Sequence, residues 1–203
     1  MASCMDEQLV RWARAVKARS CKAEGQNAGL PVLWLFTDAA RLPDPLPAIA
    51  RLPRGLCGVV FRHDGAPARL ALGLAIARLC RERRLWLVVA GDARLAARLH
   101  AGWHMRGGRM LAPRRHPDRA TASAHNAADL RRARRAGAAL AFLSPVFATA
   151  SHSGAAGLGV ARWAALAQRG GLAVAALGGI DGRSARRLPR RVCAGVGAIG
   201  ALA

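Results

Sequence analysis

Short apolar runs alternate with longer amphipathic stretches along almost the whole chain. Each run has four to six residues, which suits a strand that is buried on both faces in a parallel sheet. The stretches between the runs repeat apolar residues every three or four positions, as amphipathic helices do. The pattern predicts eight strands, over residues 31–36, 58–61, 85–90, 102–105, 121–124, 139–143, 172–177 and 194–199. It predicts seven helices, over residues 7–22, 44–52, 67–83, 93–100, 127–136, 160–169 and 183–191.

Strands that alternate with helices, with no hairpin between them, favour a closed (β/α)8 barrel, the TIM barrel, over an open doubly wound sheet. We predict two parts, an N-terminal helix with its connector over residues 1–30 and the barrel over residues 31–203. No shift of composition marks a further domain within the barrel.

The end of the predicted barrel is short. Only Gly200 to Ala203 follow the last strand, and four residues make about one helical turn. The final helix of the barrel is therefore missing or very short, and the strand faces that it would cover need another partner. The extra N-terminal helix offers Leu9, Trp12, Ala13 and Val16. A second subunit, in a homo-oligomer, is the alternative cover.

The chain is strongly basic, with 32 Lys and Arg residues, 11 Asp and Glu residues and a formal net charge of +21. Such a charge is typical of nucleic-acid-binding proteins. The arginines, however, are spread over several predicted helices, and the chain has no tyrosine and only four phenylalanines to stack on bases. We therefore favour solvated helix faces and keep nucleic-acid binding as an alternative.

Other features of the composition concern the compartment. No apolar run approaches the ~18–20 residues that span a bilayer, which speaks against a membrane protein. The first seven residues are acidic where a signal peptide would be basic. The five cysteines are scattered and never have a C-x-x-C spacing, which disfavours a disulfide framework or a zinc site. The sequence predicts a cytoplasmic protein.

Two loops near the C-terminus have the composition of a phosphate site. The loop after strand 139–143 carries the hydroxyls of Thr149 and Ser151, and strand 172–177 runs directly into Gly178 and Gly179. Hydroxyls and free backbone N–H groups after a strand bind anions, and a double glycine lets backbone approach a ligand closely. The late strands of a (β/α)8 barrel commonly form such a site. Ordinary βα turns are the alternative.

Five phrases of the sequence occur in a characteristic order: Leu33 to Asp38, Ser123 to Asn126, Ser144 to Phe147 with Thr149 and Ser151, Leu158-Gly159, and Gly178 to Ile180. Together they resemble the family of thiamine phosphate synthase and thiazole tautomerase, over roughly residues 32 to 201. The resemblance implies a (β/α)8 barrel. For the synthase, it implies that hydroxymethylpyrimidine diphosphate is joined to a thiazole phosphate, with Mg²⁺ and release of pyrophosphate.

The resemblance also implies roles for individual residues. The family frame Gln-x-Arg-x-Lys reads here as Val60 to Asp64, so only Arg62 remains as a pyrophosphate contact. Asp92 remains as a magnesium ligand, whereas Arg109 replaces the second metal carboxylate. The implied catalytic residues are Arg62, Ser123 and His125. The implied residues for binding substrate phosphate are Thr149, Ser151, His152, Gly178, Gly179, Gly200 and Ala201.

Three functions remain open at this point. The first is a synthase with a modified pyrophosphate site, in which a single carboxylate holds Mg²⁺ weakly. The second is a tautomerase-like enzyme, in which His125 acts as acid and base, or a degenerate barrel that only binds phosphorylated thiazole. The third is a basic nucleic-acid-binding protein. Of the other histidines, we expect His104 in the core, and His63 and His100 at the surface.

Overall fold

The chain folds into the closed barrel of eight parallel strands that the sequence predicts. The computed structural model describes residues 5–22, 29–107, 119–149 and 157–203, without the side chains of residues 20–22. The strands lie in chain order around the barrel, which is closed by parallel pairing of the first strand with the last. They are β1 Leu33–Phe36, β2 Cys57–Phe61, β3 Trp86–Ala90, β4 Gly102–Met105, β5 Ala120–Ala124, β6 Leu140–Leu143, β7 Ala173–Leu177 and β8 Gly195–Ala198.

Seven α-helices lie in the described parts of the chain. They are α1 Glu7–Lys22, α2 Leu46–Arg51, α3 Arg69–Arg83, α4 Ala93–Arg98, α5 Ala127–Arg135, α6 Val160–Arg169 and α7 Gly182–Ala185. A 3₁₀ turn, Gly200–Leu202, follows β8, so the final helix is very short, as predicted. None of the helices in these ranges is long and apolar enough to cross a membrane.

The helix predicted over residues 183–191 is the largest error in the sequence-based assignment. The Asp181 side chain caps α7 by accepting a hydrogen bond from the Ser184 N–H at 2.7 Å. The Asp181 N–H in turn donates a hydrogen bond to the Ser184 hydroxyl oxygen. The helix then ends at Ala185. Pro189 has no N–H to donate, and its ring would clash with the preceding turn of a helix. The helix therefore does not continue to residue 191.

The interior of the barrel is filled by large rings opposite small residues. Trp34 and Phe36 of β1 both contact Phe142 edge-on, at ring-centroid distances of 5.5 and 4.8 Å. Gly58 lies beside Trp34 in the neighbouring strand, and a Cβ atom there would lie 2.5 Å from the Trp34 ring. This packing makes the centre of the barrel solid, so the chemistry belongs at the strand ends.

The extra N-terminal helix packs against α7 and contributes to the main core. Its buried side chains are those that the sequence predicts: Leu9, Trp12, Ala13 and Val16. Asp6 fixes the start of the helix, because its Oδ1 accepts the Leu9 N–H and its Oδ2 accepts the Gly182 N–H at 2.6 Å. The Asp6 N–H also donates to the Ala201 carbonyl at 3.0 Å. The division of the chain at residue 30 stays a prediction.

Candidate functional site

The described candidate residues all lie at the carboxyl ends of the strands, on one face of the barrel. They follow or end six different strands: Arg62, Asp92, Ser123, His125, Thr149, Gly178, Gly179, Gly200 and Ala201. Ser151 and His152 lie outside the described residues. Because neighbouring strands are parallel, residues from distant parts of the sequence meet at this edge. The carboxyl edge of the barrel is therefore the candidate site.

Gly178 and Gly179 connect the end of β7 to the loop after β6. Both have positive φ angles, 94° and 66°, which favour glycine. The Phe147 N–H donates to the Gly178 carbonyl at 3.2 Å. A Cβ atom on Gly178 would lie 2.9 Å from Pro145, and one on Gly179 would lie 2.7 Å from the Cβ of Phe147. The two loops therefore meet only because both positions are glycine.

We expect Gly178→Ala to weaken the binding of inorganic phosphate by about 10-fold or more, because the added methyl group forces the two loops apart. Isothermal titration measures this affinity. Gly55→Ala is the matched control, since Gly55 also has a positive φ angle, 70°, but has nothing within 4 Å of the added methyl group. Equal affinities of the two variants would contradict a phosphate site at Gly178 and Gly179.

His125 is exposed at the rim, and its ring is held in one orientation. Its Nδ1 lies 2.9 Å from the Ser144 carbonyl oxygen. A carbonyl only accepts, so in the neutral ring Nδ1 carries the proton and Nε2 keeps a lone pair. The backbone also fixes this residue, since the His125 N–H donates to Asp129 Oδ2 at 2.8 Å. Asn126 accepts the Asp129 N–H and caps α5. This arrangement suits Nε2 to accept a proton.

Ser123 is held by a buried histidine. His104 Nε2 lies 2.8 Å from Ser123 Oγ, and His104 Nδ1 lies 2.8 Å from Thr121 Oγ1. Burial, together with the positive charges of Arg106 and Arg62, lowers the pKa of His104 to about 3. His104 is thus a neutral core residue, as predicted, and it fixes the position of the Ser123 hydroxyl.

The prediction that His63 lies at the surface is wrong. Only 2% of its surface is exposed, and its ring stacks on Phe61 with a centroid distance of 5.7 Å. Its Nδ1 lies 2.9 Å from Thr37 Oγ1, and its Nε2 lies 3.3 Å from the Pro43 carbonyl. The loop after β1 therefore covers the end of β2 and buries the histidine.

Arginines and aspartates lie together at the ends of β1 to β4. We call this group the arginine–aspartate cluster, and its members are Asp38, Arg62, Asp64, Arg69, Asp92 and Arg106. Arg69 lies between two carboxylates, with Nη2 3.1 Å from Asp64 Oδ1 and Nη1 3.0 Å from Asp92 Oδ2. Arg106 pairs with the other oxygen of Asp64, and Arg62 lies 3.9 Å from Asp38. The sequence analysis assigned no role to Arg69 or Arg106.

The cluster does not fit a resident magnesium ion. Asp92 Oδ1 accepts the Leu95 N–H at 2.9 Å and caps α4, while its Oδ2 accepts from Arg69. Within the described ranges, no group of three or more His, Cys, Asp or Glu residues is placed to hold a metal. The Arg69 Nε–H is buried and has no acceptor among the residues that the structure describes. Asp92, the predicted magnesium ligand, thus caps α4 and pairs with Arg69. The hydrogen-bond donors around it suit an anion.

Solved structures of other proteins share the fold of this chain. The thiamine phosphate pyrophosphorylase of Pyrococcus furiosus superposes with a TM-score of 0.72 at 22% identity, over 86% of this chain and 88% of that one. The enzyme of the same name from Bacteroides thetaiotaomicron gives 0.56 at 15% identity, over 85% and 84%. FabK of Thermotoga maritima gives 0.65 at 14% identity, over 85% and 58%. At these identities the likeness concerns the fold alone.

A search of curated proteins finds no match to this chain. The family model for thiamine monophosphate synthase, TMP-TENI, matches residues 48–202, which is more than half of the chain. The match includes the ends of β2 to β8, and therefore most of the candidate site. The chain belongs to the thiamine monophosphate synthase family.

Proposed function

We propose that this protein joins hydroxymethylpyrimidine diphosphate to a thiazole phosphate and releases pyrophosphate. The bond between the pyrimidine methylene carbon and the diphosphate oxygen breaks, and its electron pair leaves with the pyrophosphate. The lone pair of the thiazole nitrogen then attacks the methylene cation and forms the new C–N bond. No proton needs to be transferred, so the site has to neutralise the leaving group and align two substrates.

The observation that carries this proposal is the placement of the arginines. Arg62, Arg69 and Arg106 gather at the ends of β2 to β4, where their charge suits a departing diphosphate. Gly178 and Gly179 lie after β7, on the other side of the barrel, where they suit the phosphate of the thiazole. This division supports two anionic substrates that meet over the barrel. The proposed partners are thus small phosphorylated molecules and not nucleic acid.

Ser123 lies in β5, between these two sides in the strand order. His104 holds its hydroxyl at 2.8 Å, so the hydroxyl is preorganised before any substrate enters. In the proposed reaction, Ser123 positions the reacting pyrimidine methylene group, and Arg62 stabilises the negative charge that develops on the diphosphate.

The test is incubation of the purified protein with both substrates, followed by chromatography for thiamine phosphate and an enzymatic assay for pyrophosphate. We expect the two products in equal amounts. Omission of either substrate is the control, because hydrolysis of the diphosphate alone would release pyrophosphate without thiamine phosphate. A folded protein that forms no thiamine phosphate would contradict the proposal.

A second candidate function rests on the geometry of His125. Its Nδ1–H is directed to the Ser144 carbonyl, so Nε2 is the atom that can take a proton from a bound thiazole and return it elsewhere on the ring. The same preparation, incubated with the thiazole phosphate alone in D₂O, distinguishes the two functions. Exchange of ring-attached hydrogen, seen by NMR and lost in His125→Asn, supports a tautomerase. Coupling without such exchange supports the synthase.

A further inference from the structure

We infer that Arg62, Arg69 and Arg106 bind the diphosphate directly, without a resident metal ion, in the place that the Asp64 carboxylate holds in this structure. This inference rests on the proposed function, because it specifies how the same site would hold the leaving group. It also gives a role to two arginines, Arg69 and Arg106, that the sequence analysis left without one.

Two guanidinium groups hold the Asp64 carboxylate. Arg69 Nη2 lies 3.1 Å from Asp64 Oδ1, and Arg106 pairs with Asp64 Oδ2. One carboxylate therefore brings two guanidinium groups together, each on its own oxygen. Two oxygens of a phosphate group can accept from the same two guanidiniums, since arginine forms forked pairs with carboxylate and phosphate alike.

A bound diphosphate can displace the Asp64 carboxylate from these two arginines. Its side chain is 44% exposed, and it lies in the turn between β2 and α3 rather than in either element. The next residue, Gly65, has a positive φ angle of 73° and nothing within 4 Å of its Cβ position. An exposed carboxylate on an open turn costs little to displace, because exposed ion pairs contribute little to stability.

The hydrogen-bond donors of Arg69 are already in place. Arg69 has its Nη1 on Asp92 and another nitrogen, Nη2, 3.3 Å from the Ala90 carbonyl, so its guanidinium is fixed without Asp64. Its Nε–H is buried and has no acceptor in the described part of the chain. Burial lowers the pKa of Arg62, Asp38 raises it and Arg106 lowers it, so the charges of Arg62 and Arg106 interact. A polyanion that binds between Arg62 and Arg106 relieves the repulsion between these two cations.

Both carboxylate oxygens of Asp92 already accept hydrogen bonds. A cation bound there would have to compete with Arg69 for Oδ2 and with the Leu95 N–H for Oδ1. The hydrogen bond from the Leu95 N–H also stabilises the start of α4. The same carboxylate therefore serves better as the anchor of Arg69 than as a metal ligand.

The experiment is isothermal titration of the full-length protein with inorganic pyrophosphate, in EDTA and again in excess MgCl₂. We expect dissociation constants that agree within about threefold. Arg69→Gln and Arg106→Gln are each expected to weaken binding in EDTA by about 10-fold or more, as the loss of a charged hydrogen bond predicts. Asp64→Asn is expected to tighten it, because the competing carboxylate is removed. Arg78→Gln is the control, since Arg78 pairs with Glu82 on an exposed helix face away from the cluster.

Binding that needs MgCl₂, or that Asp64→Asn weakens, would overturn the inference, since both results would mark the carboxylates as metal ligands. The product assay separates this failure from that of the proposed function. Thiamine phosphate that forms only with Mg²⁺ would keep the function and reject the metal-free site. Pyrophosphate binding in EDTA by a protein that makes no thiamine phosphate would keep the anion site and reject the function.

Discussion

Deletion of residues 1–25 is expected to produce a barrel that aggregates or melts at a much lower temperature. Leu9, Trp12 and Val16 are at most 3% exposed and belong to the core that surrounds the strands. Burying a large apolar side chain contributes roughly 1.5–3 kcal/mol, so the three together contribute about 5 kcal/mol or more. Whole domains are stable by only about 5–15 kcal/mol. Circular dichroism melting and size-exclusion chromatography measure the loss.

A pair of point variants tests the same prediction without truncation. Leu9→Asp places a charge at a fully buried position, whereas Ala18→Asp places the same charge on the exposed side of α1. We expect the first variant to unfold or aggregate and the second to behave like the unmodified protein. A truncated protein that stays soluble, monomeric and equally stable would show that α1 is not a wall of the barrel.

Arg62→Ala is expected to lower kcat/KM for the proposed coupling by about 100- to 1,000-fold, the range found when a donor to developing negative charge is removed. The Arg62 side chain is 37% exposed and lies 3.9 Å from Asp38, a distance and exposure at which an ion pair adds at most about 1 kcal/mol to stability. The melting temperature should therefore hardly change. Steady-state kinetics and thermal melting, measured on the same preparation, separate the two effects.

Two further variants sharpen this result. Arg62→Lys keeps the charge but loses the planar fork, so we expect it to recover only part of the activity. Arg78→Ala removes an equally basic residue from an exposed position, where its side chain is 79% accessible, and should leave kcat/KM unchanged. If Arg62→Ala were as active as Arg78→Ala, the diphosphate would not lie at the end of β2.

The sequence predicts the barrel well because each strand is an apolar run between clear breaks. The predicted helices α1 and α6 agree with the structure at both ends, and β4 does as well. Strands buried on both faces need no information from their neighbours to be recognised. The predicted helix over residues 183–191 is wrong because Pro189 outweighs the helical pattern of its neighbours. Its helix-breaking effect limits α7 to four residues.

The candidate site was harder to predict, because much of it depends on contacts between distant residues. Arg69 begins α3 and reaches Asp92, which lies 23 positions later, and no spacing rule connects the two. His63 is buried only because the loop after β1 folds over it. Asp92 could be assigned from its place after β3, but its pairing with Arg69 could not. Loop packing and side-chain direction are properties of the folded barrel and not of the local sequence.

The hydrogen bonds of Asp6 bear on how this protein is made. The first helix rests on α7 and on the turn at residues 200–202, and Asp6 reaches Gly182 across 176 positions of sequence. A ribosome releases the first helix long before it has made those partners. Leu9, Trp12 and Val16 thus stay uncovered until the chain as far as residue 202 has been made. The nascent chain consequently presents a basic, amphipathic helix to chaperones until residues 182–202 emerge.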